Sequence, residues 1–382
     1  MKTLQFRRII ASGKFIPEID GLRFVAITSV VLYHIHIFLL AKNTNSYLVN
    51  QDNSYAPNLV YNGSLGVELF FVISGFVLGL FFAKAYRFIK TVNHKSYFIR
   101  RLTRLEPPYI LSLVVLFLGV VYIAKTLPFD EAVKSLFSSI FYIHNIIYTD
   151  TSPKLMTVAW SLEVEVQFYI LAPLLGLIFK IESSLKRKSF LIFLCGIFPL
   201  LSYVFPLPFI SIYDYMSYFL LGFLITDIYI DKQDCNKSTN FSLLATLACS
   251  LFLYFYFFLK DEEFALTVMY YKYLHLIPLF IIFYIVLIER KVEILKKTWI
   301  SNIGGACYSI YLVHFPIISL FGNKLVQFQF TQNKLIDNLI YGIILITIVL
   351  IISIIFYLLI ERPCMDKNWP KKLVALITGN KE

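Results

Sequence analysis

The chain has 382 residues, 58% of them hydrophobic and 17% aromatic but only 15% charged, with a mean hydropathy of +0.71. Soluble domains carry about one quarter charged residues. An ordinary soluble fold is therefore excluded, and a polytopic membrane protein with its charges confined to loops is expected. The net charge of +11 is not gathered into a basic domain apart from the apolar runs, so no nucleic-acid partner is expected.

A hydrocarbon core about 30 Å thick takes about 20 apolar residues per helix. Ten candidate runs occur, near 24–42, 65–85, 107–126, 163–180, 189–205, 213–230, 241–259, 274–288, 303–322 and 335–360. The eighth is short, and a further stretch over 131–148 predicts an interfacial or re-entrant helix. With no strand-period pattern, the expected fold is an all-α, polytopic membrane helical bundle of about ten transmembrane helices. Of the 35 Lys and Arg residues, 27 fall in the N-terminal segment, the even-numbered loops and the C-terminal tail, and 8 in the odd-numbered loops. Cytoplasmic loops carry the basic excess, so both termini are expected in the cytoplasm. The first span then acts as an uncleaved insertion signal. Cys195, Cys249 and Cys307 lie in spans, and Cys235 and Cys364 in cytoplasmic segments. Neither disulfides nor a metal cluster is expected. With no internal repeat or linker, residues 1–382 read as one domain.

Ionisable residues at membrane depth mark function by default. The first span opens with "DGLRFVAITSVVLYHIH". Arg23 and His34 are eleven residues apart, roughly 16 Å along a helix and within about 20° of one another around it. His36 is about 200° from His34 and faces elsewhere. A neutral imidazole at the midplane suits a general base, or a nucleophile in acyl transfer. The competing reading is a histidine that packs inside the bundle. Arg23 also has Asp20 three residues before it, a pairing that would simply hold the helix entry.

The second span begins "GVELFFVISGF". Ser74-Gly75 lacks the glycine two residues before the serine that a nucleophile elbow requires, because Val72 stands there. Close helix packing is the expected use of these small residues, and Glu68 reads as a boundary charge. The following loop ends "SYFIRRLTRLEPPY", which puts Arg101 and Arg104 on one face at the cytoplasmic edge. They serve as positive-inside anchors or as a guanidinium fork for a phosphorylated ligand. Pro107 and Pro108 fit the first turn of the next helix.

The fourth span opens "AWSLEVEVQFY". Trp160 fits the interfacial aromatic belt. Glu163 and Glu165 diverge by about 200°, so only one is expected to face the interior. The ninth contains "GGACYSIYLVHFPI", with Tyr308, Tyr311 and His314 every third residue and His314 about as deep as His34. Pro316 is expected to kink that helix. No phosphate-binding loop, dinucleotide fingerprint or zinc-ligand spacing is present, so nucleotide hydrolysis, Rossmann redox chemistry and metalloprotease activity have no support.

Taken together, DGLR with the Arg-x10-His spacing, GVELFFVISGF, RRLTR before a proline, WSLEVEVQFY, YSIYLVHFPI and ERP at Glu361–Pro363 resemble acyltransferase family 3. The motifs run in family order from about residue 16 to 363. Many of these bacterial and eukaryotic membrane enzymes O-acetylate surface polysaccharides. The resemblance implies transfer from a cytoplasmic acyl-CoA, usually acetyl-CoA, to an acceptor on the outer side, with the chain in a bacterial inner membrane. It assigns Arg23 and His34 as the essential pair, Arg101 and Arg104 as the arginine pair, and Glu165 as the glutamate of the WSLxxE motif. Val166 departs from the family, which often has a second glutamate there. Some members carry a C-terminal hydrolase-like module. This chain ends about twenty residues after the tenth span, so no such module is expected.

On this reading His34 and Glu165 are catalytic, with no metal. Asp20, Arg23, Arg101, Arg104, Trp160, Ser161, Tyr311 and His314 bind substrate. The partners are acyl-CoA from the cytoplasm, a glycan from outside and the lipid bilayer. His34 either deprotonates the hydroxyl for direct attack or accepts the acyl group first. Acceptors other than a glycan (a lipid, a peptide or a small molecule) stay open, as does a glycan or lipid transporter. The internal repeats common in transporters are not seen.

Overall fold

The computed structural model describes residues 15–42, 60, 62–89, 92–149, 151–232, 246–247, 250–251, 265–289, 292–366 and 369, and no strand occurs among them. In chain order the helices are α1 (Pro17–Ala41), α2 (Gly66–Lys84), α3 (His94–Leu118), α4 (Phe129–Ile140), α5 (His144–Ile147) and α6 (Trp160–Leu175). There follow α7 (Ser184–Val204), α8 (Ile212–Asp231), α9 (Ala265–Phe283), α10 (Thr298–Gly305), α11 (Cys307–Leu325) and α12 (Lys334–Phe356). Among the described residues, seven helical segments are long and apolar enough to cross a membrane, and the α10–α11 pair, taken as one span, makes an eighth. Most of the expected 241–259 span lies outside the described residues, as do Cys235, Cys249, Lys2, Arg7, Arg8 and Lys14.

At the position of the expected sixth span stands α8, which carries Asp214, Asp227 and Asp231 and is buried without interruption from Met216 to Asp227. It packs against α2, α6, α7 and α9. Facing glycines set its approach to α2: a Cβ on Gly75 would lie 2.2 Å from the Phe219 carbonyl oxygen, and one on Gly222 2.4 Å from that of Val72. Small residues at such crossings let backbones touch, which is how helices gain contact inside lipid. Phe71, Phe76, Phe168, Phe219 and Phe223 fill the core around this crossing. A second core, built on Ile27, Val31, Ile35, Ile310, Ile317 and Leu345, joins α1 to α11 and α12.

Two carboxylates of α8, Asp227 and Asp231, are matched by cations near its C-terminal end. Buried Arg187 donates from Nε to Asp227 at 2.5 Å, Arg87 to Asp231 at 2.9 Å, and Lys188 to Asp231 at 2.6 Å. The start of α7 and the turn after α2 are thereby tied to the end of α8.

One local expectation is corrected. Pro107 and Pro108 do not open a helix, because α3 begins at His94, where Asn93 caps it by accepting from the Ser96 backbone N–H at 2.8 Å. A proline at 107 removes the hydrogen bond that the Thr103 carbonyl would receive. The Trp369 indole donates to that carbonyl instead, at 3.0 Å, and the helix continues to Leu118. The same repair occurs in α6, where Pro173 frees the Tyr169 carbonyl and the Tyr97 hydroxyl donates to it at 2.9 Å. Pro316 lies inside α11, and a bend of 68° separates α10 from α11 at Ala306.

Candidate active site

Two histidines meet at the α1–α11 contact. His34 Nδ1 lies 3.2 Å from His314 Nε2 and 3.0 Å from the Val30 carbonyl oxygen. His314 is fully buried, with Nδ1 3.0 Å from the Ile310 carbonyl oxygen and 2.8 Å from that of Tyr311. His34 is half-buried, with the edge of Phe315 against it at 5.4 Å between ring centres. A residue on the first helix is thus held by one 280 positions later. His36 is also buried, on another face of α1.

Near one end of α1, Arg23 donates to Asp20 at 2.5 Å, so the pairing that holds the helix entry does form. Cys307 and Glu165 also lie within electrostatic reach of Arg23. Gly304 brings α10 against this turn so closely that a Cβ there would lie 1.7 Å from the Asp20 carbonyl oxygen.

Glu165 accepts from Ser74 at 2.5 Å, and Tyr169 donates to the same carboxylate oxygen. Ser74 is therefore more than the packing residue expected from sequence. Its hydroxyl is the one polar side chain between Leu69 and Phe82, and that isolation was the available signal. Tyr169, one helical turn after Glu165, was the other residue missed. The expectation that only one glutamate faces the interior is wrong. Glu163 is fully buried on the opposite side of α6, accepting from the Asn145 backbone N–H at 2.9 Å and standing 3.3 Å from His144 Nδ1. Helices pack on both sides of α6, so with a 200° divergence Glu163 is buried while Glu165, half-buried, still finds partners on α2 and on its own helix.

The arginine pair sits beside this cluster. Arg101 stacks over Tyr97 at 3.8 Å and lies 5.5 Å from the Tyr169 ring centre. Arg104 is within electrostatic reach of Tyr169, and its buried Nε has no hydrogen-bond partner among the described residues. One guanidinium is thus held by aromatic faces while the other keeps an open donor, which differs from a symmetric fork.

Tyr311 donates to the Val158 carbonyl and lies 3.1 Å from the Ser161 hydroxyl, between His314 on its own helix and Glu165 within electrostatic reach. The Trp160 ring packs on Tyr215 at 5.6 Å between ring centres, and its carbonyl accepts from the Asn145 side-chain amide at 3.1 Å. The Glu361 of the ERP motif acquires a place as well. It accepts from the Ser309 backbone N–H at 3.0 Å and from its hydroxyl at 2.5 Å, securing the first turn of the helix that carries His314.

Chemically, the cluster offers an imidazole pair in an apolar shell, a carboxylate already bonded to two hydroxyls, and arginine donors to one side. A 31% identical stretch of 176 residues, 44% of this chain, matches the peptidoglycan O-acetyltransferase OatA of Listeria monocytogenes over 25% of that protein. A protein of Staphylococcus aureus named "Putative O-acetyltransferase" is 24% identical over 351 residues, covering 83% of this chain and 53% of its own length. A Bacillus subtilis protein named "Putative peptidoglycan O-acetyltransferase" is 29% identical over 195 residues, 48% of this chain and 28% of its own. The chain thus spans about half the length, or less, of these relatives. No solved structure matches. The family model described as "Acyltransferase domain" matches residues 16–358. That match takes in all ten residues of the expected site, and the chain belongs to acyltransferase family 3.

Proposed function

We propose that the chain is a membrane-embedded O-acetyltransferase. It moves an acetyl group from cytoplasmic acetyl-CoA to a hydroxyl of a cell-surface or exported glycan, within one integral domain of the plasma membrane whose termini both face the cytoplasm. The names of two relatives make peptidoglycan the first acceptor to test. The reading rests chiefly on the contact between His34 and His314 inside the bundle, because ionisable residues brought together at membrane depth mark a functional site by default.

Arg104, with its open Nε, and Arg101 meet the anionic end of the donor. His34 takes the proton of the acceptor hydroxyl as its oxygen attacks the thioester carbonyl. The tetrahedral intermediate then collapses, and His34 returns that proton to the departing thiolate, giving the ester and free thiol. Glu165 orients hydroxyl groups through the same oxygen that Ser74 and Tyr169 hold. The apolar helices keep water from the thioester. The test is acetylation of the glycan by cells carrying His34→Ala at normal membrane levels. Loss of the O-acetyl signal is expected, and full acetylation overturns the reading.

A further inference from the structure

We infer that His314 is a positioning residue that holds His34 in its Nδ1–H tautomer, leaving Nε2 as the reacting nitrogen. The inference rests on the enzymatic reading above only for the word reacting. The tautomer follows from geometry alone.

Backbone carbonyl oxygens accept hydrogen bonds and never donate them. His314 Nδ1 faces two, those of Ile310 and Tyr311, at 3.0 and 2.8 Å. A neutral His314 therefore carries its proton on Nδ1 and a lone pair on Nε2. That lone pair faces His34 Nδ1 at 3.2 Å, and the Val30 carbonyl faces the same nitrogen at 3.0 Å. Both neighbours of His34 Nδ1 are acceptors, so this nitrogen bears the proton and shares it between them. One neutral imidazole has one N–H, and Nε2 of His34 is left as a lone pair.

The opposite assignment fails at each step. A proton on His314 Nε2 would oblige His34 Nδ1 to accept, setting its lone pair against the Val30 oxygen. It would also leave His314 Nδ1 facing two carbonyls with nothing to donate, in a residue with no exposure to water. The Val30 carbonyl alone holds a half-buried ring weakly. The second acceptor comes from a different helix, which fixes both the ring's rotation and its proton. This is the part a buried carboxylate plays behind a catalytic histidine, here taken by a neutral imidazole. When His34 Nε2 gains the hydroxyl proton, both Nδ1–H hydrogen bonds persist, so no reorganisation accompanies the step. On this inference His314 acts through His34, which its Nε2 touches.

The experiment uses the full chain in lipid nanodiscs with 15N-labelled histidine, the His34 signals being identified by their loss in His34→Gln. In the unsubstituted protein we expect a protonated Nδ1 and an unprotonated Nε2 on His34. In His314→Leu both tautomers are expected, and in His314→Gln, whose side-chain oxygen still accepts, the Nδ1–H form returns. The kcat for acetyl transfer is expected to fall about 100-fold in His314→Leu with KM little changed, and to recover to within about tenfold in His314→Gln. An Nε2–H His34 in the unsubstituted protein, or a tautomer unmoved by His314→Leu, overturns the inference. A protein that shows the expected tautomer but transfers no acetyl group refutes the enzymatic reading and leaves this one standing.

Discussion

Ser74 on α2 and Glu165 on α6, 91 positions apart, are joined by a 2.5 Å hydrogen bond. A hydrogen bond to an ionised group contributes about 1.5–3 kcal/mol, and Tyr169 donates to the same oxygen. Ser74→Ala is expected to lower acetyl transfer about tenfold while Glu165→Gln lowers it further. The double variant should be no worse than Glu165→Gln alone, since Ser74 acts through the carboxylate. Additive losses in initial-rate assays would show that Ser74 acts by another route.

The two histidines of α1 are expected to separate cleanly. His34→Ala should reduce O-acetyl ester released from the glycan by about 100-fold or more. His36→Gln, on another face, should retain acetylation near the unsubstituted level, with a modest loss of thermal stability as its only cost. Quantifying ester acetate by mass spectrometry in matched membranes tells the two apart.

Gly304 is expected to be intolerant of any side chain, because its Cβ would meet the Asp20 carbonyl oxygen at 1.7 Å. Backbone cannot rotate out of the way as a side chain can. Gly304→Ala should therefore part α10 from α1 and destabilise the protein by about 1–3 kcal/mol, visible as a lowered melting temperature in detergent. An unchanged melting temperature would mean that the contact yields easily.

Asp231 closes α8 outside the expected 213–230 span. Partial burial works against its charge, but hydrogen bonds from Lys188, Ser184 and Arg87 outweigh this and hold its carboxyl at about 2, below the ordinary 3.8. Because the folded value is the lower one, its contribution to stability is present above about pH 4 and is lost as the pH falls toward 2. Asp231→Asn should flatten that limb of a melting-temperature profile. An identical limb in the variant would assign the acid sensitivity elsewhere.

Patterns that repeat within one helix were readable in the sequence. The eleven-residue step from Arg23 to His34, the long apolar runs and the turn of arginines in α3 follow from the geometry of a single rod. What lay between rods was not readable. Nothing local announces that His34 meets His314 or that Ser74 meets Glu165, since hydropathy gives no register between helices. Glu163 was misjudged because an amphipathic argument assumes one wet face, and α6 has none in its first two turns. The prolines misled for a related reason. Whether a proline breaks a helix depends on a donor arriving from elsewhere, as Trp369 does for the Thr103 carbonyl.

The span between His34 and His314, and the grip of Glu361 on Ser309, fix when in the life of the molecule the centre can exist. A ribosome delivers the chain from its first residue, so α1 enters the bilayer before the imidazole that His34 contacts has been made. Its partner arrives 280 residues later, and the carboxylate that secures the partner's helix 52 residues beyond Ser309. The centre therefore cannot be complete until residue 361 has been made, and a chain lodged in the bilayer before that point holds His34 without the residue that orients it, or without the carboxylate that secures that residue's helix.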